Sequence, residues 1–250
     1  MRNTPLLEVC VDSHASSLTA VRGGADRLEL CGHLAIGGVT PSPVLFQQIR
    51  RDCDVRIHVL IRPRFGDFLY SDAEIEEMCG EIELFRDLGA DGVVTGVLTP
   101  DGALDRARME RLTACAGGMS VTLHRAFDMA RDAFDTLEAA VELGCQTILT
   151  SGQASGAAEG KDLLRALYAR AAGRVDIMAG CGVNRANIRE LHDYTGIRVF
   201  HASCRRSADN GMRFRRNAVS MGLPSLSEYE LWHADEEEVR SCARIVHGLC

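Results

Sequence analysis

The 250-residue chain carries 28 lysines and arginines against 35 aspartates and glutamates, a formal net charge of −7, and 46% of its residues are hydrophobic. This balance argues against a surface built for nucleic acid, and we find no zinc-finger or helix-turn-helix pattern. No apolar run approaches the roughly 18 residues of a membrane span. The chain starts almost directly in a strand pattern instead of a secretory signal, so a cytoplasmic protein is expected.

Apolar strand patterns recur along the chain and alternate with helical patterns. Ser42-Pro43 predicts a helix start, with a capping residue followed by proline at the first helical position. Ser71 and Glu74 predict a capping box at the start of the best helical pattern. The predicted strands fall within 6–11, 22–31, 55–61, 87–96, 120–127, 142–151, 175–182 and 194–203.

Eight strands alternating with eight helical segments predict a parallel sheet, and eight such units predict a single closed TIM-like (β/α)8 barrel over residues 1–250. A doubly wound open sheet is the alternative. No GxGxxG motif follows the first strand, which counts against a dinucleotide fold and predicts no nucleotide cofactor.

The ten cysteines form no CxxC pair. Because no secretory signal is predicted, reduced thiols are expected. Most are predicted to be small buried side chains, as for Cys79 on an apolar helix face.

The carboxyl ends of the predicted strands are rich in ionisable side chains. Function sits at these ends in a (β/α)8 barrel, and residues i and i+2 of a strand share a face. The pattern predicts an inward-facing cluster in which arginines bind an anion, with Glu8, Glu29 and His124 as acid and base. An internal salt-bridge network is the alternative interpretation. The candidates are Glu8, Cys10, Glu29, Cys31, His58, Arg62, Arg64, His124, Arg125, Asp128, His201 and Ser203.

Two loops late in the chain favour anion binding. "GCGVN" contains Gly180 and Gly182, which let a ligand approach the backbone, and Asn184 as a predicted helix N-cap. Ser151 ends an earlier strand. A long loop over residues 204–226 follows the eighth strand, and loops at this place hold phosphate in many barrels. A solvated basic loop is the alternative; its arginines are 205, 206, 213, 215 and 216.

Taken together, these segments resemble the CutC family of copper homeostasis proteins from about residue 7 to residue 230. The motifs that carry the resemblance are "LEVCVDS", "RGGADRLELC", "GGVTPS", "IRPRFGDFLYSDAEIE", "VTLHRAFDM", "ILTSG" and "GMRFR". The resemblance implies a TIM-barrel-like fold, a cytoplasmic location, a homo-oligomer (dimer or tetramer) and copper handling. It implies Cys10 and Cys31 as metal ligands. The chain departs from the family pattern at Cys181 and Cys204.

Two functions therefore stay open at this point. In the first, the protein binds Cu(I) through Cys10 and Cys31, because soft thiolates select this ion. Their strands are consecutive, so the two residues are expected to be neighbours about 4.8 Å apart if they pair in parallel, with both thiols pointing inward. In the second, the protein is an enzyme acting by acid–base chemistry on a small anionic metabolite, phosphorylated or a carboxylate.

Overall fold

A computed structural model describes residues 4–216, 219, 221–222 and 226–249. Eight parallel strands close into a barrel in chain order, which confirms the predicted (β/α)8 architecture and excludes the open sheet. The strands are β1 (Leu6–Val11), β2 (Arg27–Leu30), β3 (Arg56–Leu60), β4 (Gly92–Thr95), β5 (Ser120–Leu123), β6 (Thr147–Thr150), β7 (Asp176–Ala179) and β8 (Val199–Ala202).

Helices alternate with these strands around the outside of the barrel. Within the described ranges they are α1 (His14–Gly23), α2 (Pro43–Asp52), α3 (Asp72–Asp87), α4 (Arg106–Ala116), α5 (Ala133–Glu142), α6 (Lys161–Ala171), α7 (Ile188–Thr195) and α8 (Glu236–His247). Short 3-10 turns follow β2 at Leu34–Ile36 and β5 at Arg125–Met129.

Capping residues set the predicted helix starts. Ser71 accepts a hydrogen bond from the Glu74 amide, and the Glu74 side chain accepts one from the Ser71 amide, so the capping box is confirmed. Pro43 lies in the first turn of α2, as predicted. Asn184 is not an N-cap: α7 starts later, after Asn187, and the Asn184 side chain bonds within the preceding turn.

The strands separate an apolar outer layer from an interior that carries charged side chains. Leu7, Val9 and Leu28 are fully buried in the main core, between the strands and the helices. Burying such a side chain stabilises the fold by roughly 1.5–3 kcal/mol. The alternate positions on the same strands carry Glu8, Arg27 and Glu29, and all three are buried as well. The barrel interior therefore holds charge that must be compensated locally.

The prediction of an arginine-rich loop over 204–226 needs correction at its start. Arg205–Asp209 is a strand, β9, which pairs antiparallel with β10 (Glu230–Ala234). Arg205 stacks over Trp232, with its guanidinium carbon 3.7 Å from the ring centroid. Arg215 pairs with Asp209. Arg205 therefore links the two strands, Arg215 bonds back to β9, and positions 217, 218, 220 and 223–225 lie outside the described residues.

None of the described helices is both long and apolar enough to cross a membrane.

Candidate functional site

A buried carboxylate on β1 organises the barrel interior. Glu8 is fully buried and lies opposite Arg27 of β2 and His201 of β8 in the strand register. The Arg27 Nε donates to Glu8 Oε2 at 2.5 Å. His201 Nδ1 lies 2.7 Å from Glu8 Oε1. Burial by itself would raise the pKa of Glu8, but Arg27 and His201 hold it well below its usual range. Glu8 is therefore ionised, with both oxygens engaged.

The ionised Glu8 fixes the orientation of His201. An ionised carboxylate only accepts hydrogen bonds, so Nδ1 of His201 carries the hydrogen. The other ring nitrogen, Nε2, then faces Glu29, whose Oε2 lies 3.8 Å away. Burial lowers the pKa of His201, but Cys10 and Glu29 outweigh it and raise that pKa well above its usual value.

Three potential metal ligands converge beside this pair. Ligand atoms of Cys10, Glu29 and His201 all lie within 4.8 Å of one another. The strand register brings Cys10 opposite Glu29 on the neighbouring strand. Burial raises the pKa of Glu29, with a further contribution from the charge of Glu8, while His201 partly opposes the rise. The surroundings thus lower the pKa of Glu8 and raise the pKa of Glu29.

Cys10 and Cys31 are not direct cross-strand neighbours, contrary to the expected 4.8 Å pairing. Glu29 occupies the position opposite Cys10, and the Cys31 amide bonds one step further along, to Val11 O. Both thiols nevertheless belong to one small apolar cluster of the barrel interior. The Cys31 thiol donates to Glu29 Oε2 at 3.4 Å. Burial and Glu29 raise the pKa of Cys31 well above its usual value.

Arg62 does not face the carboxylates that the sequence analysis placed opposite it. Its guanidinium donates to the carbonyls of Gly37, Gly38 and Gly66 at 3.3, 2.9 and 2.7 Å. It also stacks on Phe68, 5.2 Å from the ring centroid. Arg62 therefore ties the loop after β2 to the loop after β3.

Arg64 also has local partners in place of a shared anion cavity. Its Nε donates to Glu74 Oε1 at 2.6 Å, and its NH2 donates to the carbonyl of Leu69 at 2.7 Å. A third partner is Asp67, at 3.1 Å. These contacts fasten the β3 loop to the start of α3.

His124 lies with Arg62 and Phe68 and not with Glu8. Its ring centroid is 4.7 Å from that of Phe68, and Nδ1 accepts a hydrogen bond from the Ala126 amide at 3.2 Å. Burial and the charge of Arg62 lower the pKa of His124 to about 3. His124 is therefore neutral near pH 7, and the described residues give it no contact with the Glu8–Glu29 pair.

Arg125, Asp128 and Ser151 form one hydrogen-bonded unit. Asp128 accepts from the amides of Ser151 and Gln153 and from the Thr150 hydroxyl. Arg125 donates to Asp128 at 2.8 Å and to the Ser151 hydroxyl at 3.1 Å. The unit ties the 3-10 turn after β5 to the loop after β6.

A cavity of about 450 Å³ opens at the carboxyl ends of β1, β7 and β8. It brings together Cys10 and His201 with further predicted or family-variant positions on its wall: Arg125, Cys181, Gly182, Asn184, Ser203, Cys204 and Arg205. Gly180 packs beneath, against Leu149 and His201. A larger cavity of about 740 Å³ lies at the amino ends of the strands, lined in part by Arg27, Arg56 and His58. We place the candidate site at the carboxyl ends, where the metal-ligating atoms converge.

Sequence reasoning missed Arg27, which is the ion-pair partner of Glu8. The signal was present, because Arg27 and Glu29 stand two residues apart on one strand and share its inward face. His58 lies opposite Glu29 and is 3% exposed. Burial, with Arg27, lowers the pKa of His58 to about 3, so it is neutral near pH 7.

Comparison with known proteins identifies close relatives over nearly the whole chain. The model of the CutC family matches residues 5–206. A family protein CutC of Bacteroides fragilis is 49% identical over 90% of this chain and 90% of its own length. The human copper homeostasis protein cutC homolog is 44% identical over 98% of this chain and 90% of its own length.

Solved structures agree with the fold. A CutC crystal structure from Streptococcus agalactiae superposes with a TM-score of 0.76 at 30% identity, covering 80% of this chain and 99% of that one. Monomeric phosphoribosylanthranilate isomerase from Thermotoga maritima, at a TM-score of 0.58 and 12% identity, covers 98% of this chain and 100% of its own. The second likeness concerns the barrel fold alone.

Proposed function

Since this chain belongs to the CutC family, we propose that it binds Cu(I) at the barrel mouth, through Cys10 and His201 with Cys31 beside them. The observation that carries the proposal is the convergence of the Cys10, Glu29 and His201 ligand atoms within 4.8 Å. The copper homeostasis function named for the human relative supports the choice of metal.

The donor set fits a soft ion. Thiolate sulfur selects Cu(I), and imidazole nitrogen is a suitable ligand for copper. Carboxylate oxygen suits harder cations, so Glu29 is the least suitable ligand of the three for Cu(I). We assign Glu29 to proton transfer, because its carboxyl group lies within reach of the thiol of Cys31 and of the His201 ring.

Glu8 and Arg27 supply the outer layer of the site. A metal-binding histidine commonly donates its second ring nitrogen to a carboxylate, which fixes the ring and raises its basicity. Here Glu8 accepts from Nδ1 of His201 and is itself held by Arg27. The chain Arg27–Glu8–His201 therefore fixes the ring with Nε2 towards Glu29, and a metal bound there would replace the Nε2 proton.

Titration of the protein with Cu(I) against a coloured competing chelator, without oxygen and under a non-thiol reductant, tests the proposal. We expect Cys10→Ala and His201→Ala to lose one high-affinity equivalent. Glu8→Gln keeps the stoichiometry but weakens binding by about 10–100-fold, as expected for an outer-layer partner.

Cys145→Ala is the matched control. Cys145 is buried, and burial raises its pKa to about 11, but it packs in the main core just before β6 and does not line the mouth cavity. It should bind copper like the parent. If all these variants, Cys145→Ala included, lost copper binding to the same degree, copper would be binding any thiol and the proposal would fail.

The cytoplasmic location and the homo-oligomer that the family resemblance implies are part of the same proposal. Binding of Cu(I) by thiolates requires reduced cysteines, which a reducing compartment maintains.

An acid–base enzyme acting on a small anionic ligand is the second candidate. The observation that favours it is that the pKa values of the two carboxyl groups shift in opposite directions: the pKa of Glu8 is lowered and that of Glu29 is raised. In many enzymes, environments that push the pKa values of two titrating groups apart in this way assign one group as the acid and the other as the base. In this case Glu29 and His201 exchange protons with the ligand, and Arg125 at the cavity wall binds its anionic group.

Thermal melts with phosphorylated sugars and organic acids test this second candidate. We expect a stabilising anion to lose its effect in Arg125→Ala. Stabilisation by Cu(I) together with none by any anion would exclude it.

A further inference from the structure

Two buried thiols lie against each other beside the mouth cavity, outside the cluster described above. Cys204 follows β8 directly, and Cys242 lies in the second turn of α8. Their sulfur atoms are 3.9 Å apart, and the residues are 6% and 0% exposed. A disulfide has sulfurs about 2.05 Å apart, so these are two separate thiols in contact.

We propose that Cys204 and Cys242 form a second Cu(I) site, in which one ion bridges the two thiolates. Zinc–thiolate bonds measure about 2.3 Å, and the same length for Cu(I) would put the sulfurs of a bridged pair at most about 4.6 Å apart. The observed 3.9 Å falls within that limit. Binding exchanges protons for metal: two thiols and one Cu(I) give a dithiolate complex of net charge −1 and two released protons.

The backbone around the pair holds the thiols in place. Cys204 has a φ of 42°, a left-handed conformation that is uncommon for a residue with a side chain. Its carbonyl accepts the Asp235 amide at 2.7 Å, and Asp235 caps α8. The end of β8 is thus tied to the helix that carries Cys242. An ion entering here meets a preformed pair of donors.

Charged side chains surround the cavity that Cys204 lines. Glu238 lies 3.7 Å from the Cys242 sulfur, but its other oxygen pairs with Arg185 at 3.1 Å. Arg125 and Arg205 line the same cavity as Cys204. Both arginines are engaged elsewhere, with Asp128 and Trp232, and the Cys242 thiol, burial and Glu238 raise the pKa of Cys204. The metal ion must therefore displace the thiol protons itself.

The route to this site is the cavity that also serves Cys10. Cys10, Cys204 and Glu238 all line it. One ion can therefore reach either site from the barrel mouth. The two sites are separate, because the Cys10 cluster uses His201 and Glu29, which are not partners of Cys242 among the described residues.

The test is the same anaerobic Cu(I) titration, applied to Cys204→Gly and Cys242→Ala. Glycine tolerates a positive φ, so Cys204→Gly removes the thiol without straining the chain, and a thermal melt checks folding. We expect two equivalents for the parent and for Cys145→Ala, and one for each of the two variants.

X-ray absorption on Cys10→Ala loaded with one equivalent of Cu(I) leaves the second pair intact. We expect two sulfur neighbours and no nitrogen neighbour around copper. A different ligand set would overturn the second site, even if the variants of the pair failed to fold.

The outcomes separate this inference from the proposed function. If Cys10→Ala lost one equivalent of Cu(I) and Cys204→Gly bound as many equivalents as the parent, the second site would be refuted and the first would stand. One equivalent lost in Cys204→Gly but kept in Cys10→Ala would do the reverse. Equal partial loss in all variants, Cys145→Ala included, would refute both.

Discussion

Replacing Arg27 with methionine removes the cation that compensates Glu8 and leaves an unbranched, uncharged side chain. Arg27 is 6% exposed and Glu8 is fully buried, so their hydrogen bond is shielded from water in the parent. The Arg27 NH2 also lies 3.4 Å from Met178 Sδ, an apolar environment that can accommodate a second thioether.

Breaking a buried ion pair by removing one partner costs about 3–5 kcal/mol, because the other charge stays buried without its partner. His201 still bonds one oxygen of Glu8, at 2.7 Å. We therefore expect the lower end of that range, about 3 kcal/mol. At about 2–4 °C per kcal/mol for a domain of this size, the melting temperature should fall by about 6–12 °C.

The loss should depend on pH with a defined sign. In the parent, folding lowers the pKa of Glu8. The ion pair therefore stabilises the fold fully above the pKa of the unfolded state, about 4.3, and loses this effect as pH falls through the pKa of the folded state. In Arg27→Met, burial acts on Glu8 without Arg27 and raises its pKa. Protonation then relieves the buried charge, so the stability difference between parent and variant should shrink from pH 7.5 to pH 5.

Urea denaturation of the parent, Arg27→Met, Glu8→Gln and the double variant at both pH values measures this coupling. The double variant should be more stable than Arg27→Met alone, because no charge is left unpaired. A loss below about 1 kcal/mol at pH 7.5, or a loss that Glu8→Gln does not reduce, would refute the reasoning.

Three further changes test the contacts around the site. Arg62→Ala should cost about 3 kcal/mol in urea denaturation, because three loop carbonyls lose a charged donor; Arg62→Lys should recover part of it, and a loss below about 1 kcal/mol would contradict the structural role. Asp128→Ala should speed amide hydrogen exchange at Ser151 and Gln153, because Asp128 accepts hydrogen bonds from both amides; unchanged exchange there would show that the loop keeps its conformation without Asp128. Ser71→Ala should cost about 1 kcal/mol through the lost capping box, whereas unchanged stability would mean that tertiary contacts alone fix the start of α3.

The sequence by itself determined the elements and the direction of the strand side chains. Caps such as Ser71 and Pro43 act through the backbone within a few residues. Strand alternation is equally local, which is why Glu8, Cys10 and Glu29 could be placed on one inward face. The family motifs added the copper association, which no local pattern contains.

Only the tertiary structure decided which of these side chains meet. The register between β1 and β2 places Glu29, not Cys31, opposite Cys10. Arg62 was expected among the carboxylates, yet it lies with the carbonyls of neighbouring loops, and Arg27 takes the place beside Glu8. The Cys204–Cys242 contact joins residues 38 positions apart. Alternation within a strand depends on neighbouring residues, whereas register, loop paths and helix docking depend on the packing of the whole barrel, which no short stretch of sequence specifies.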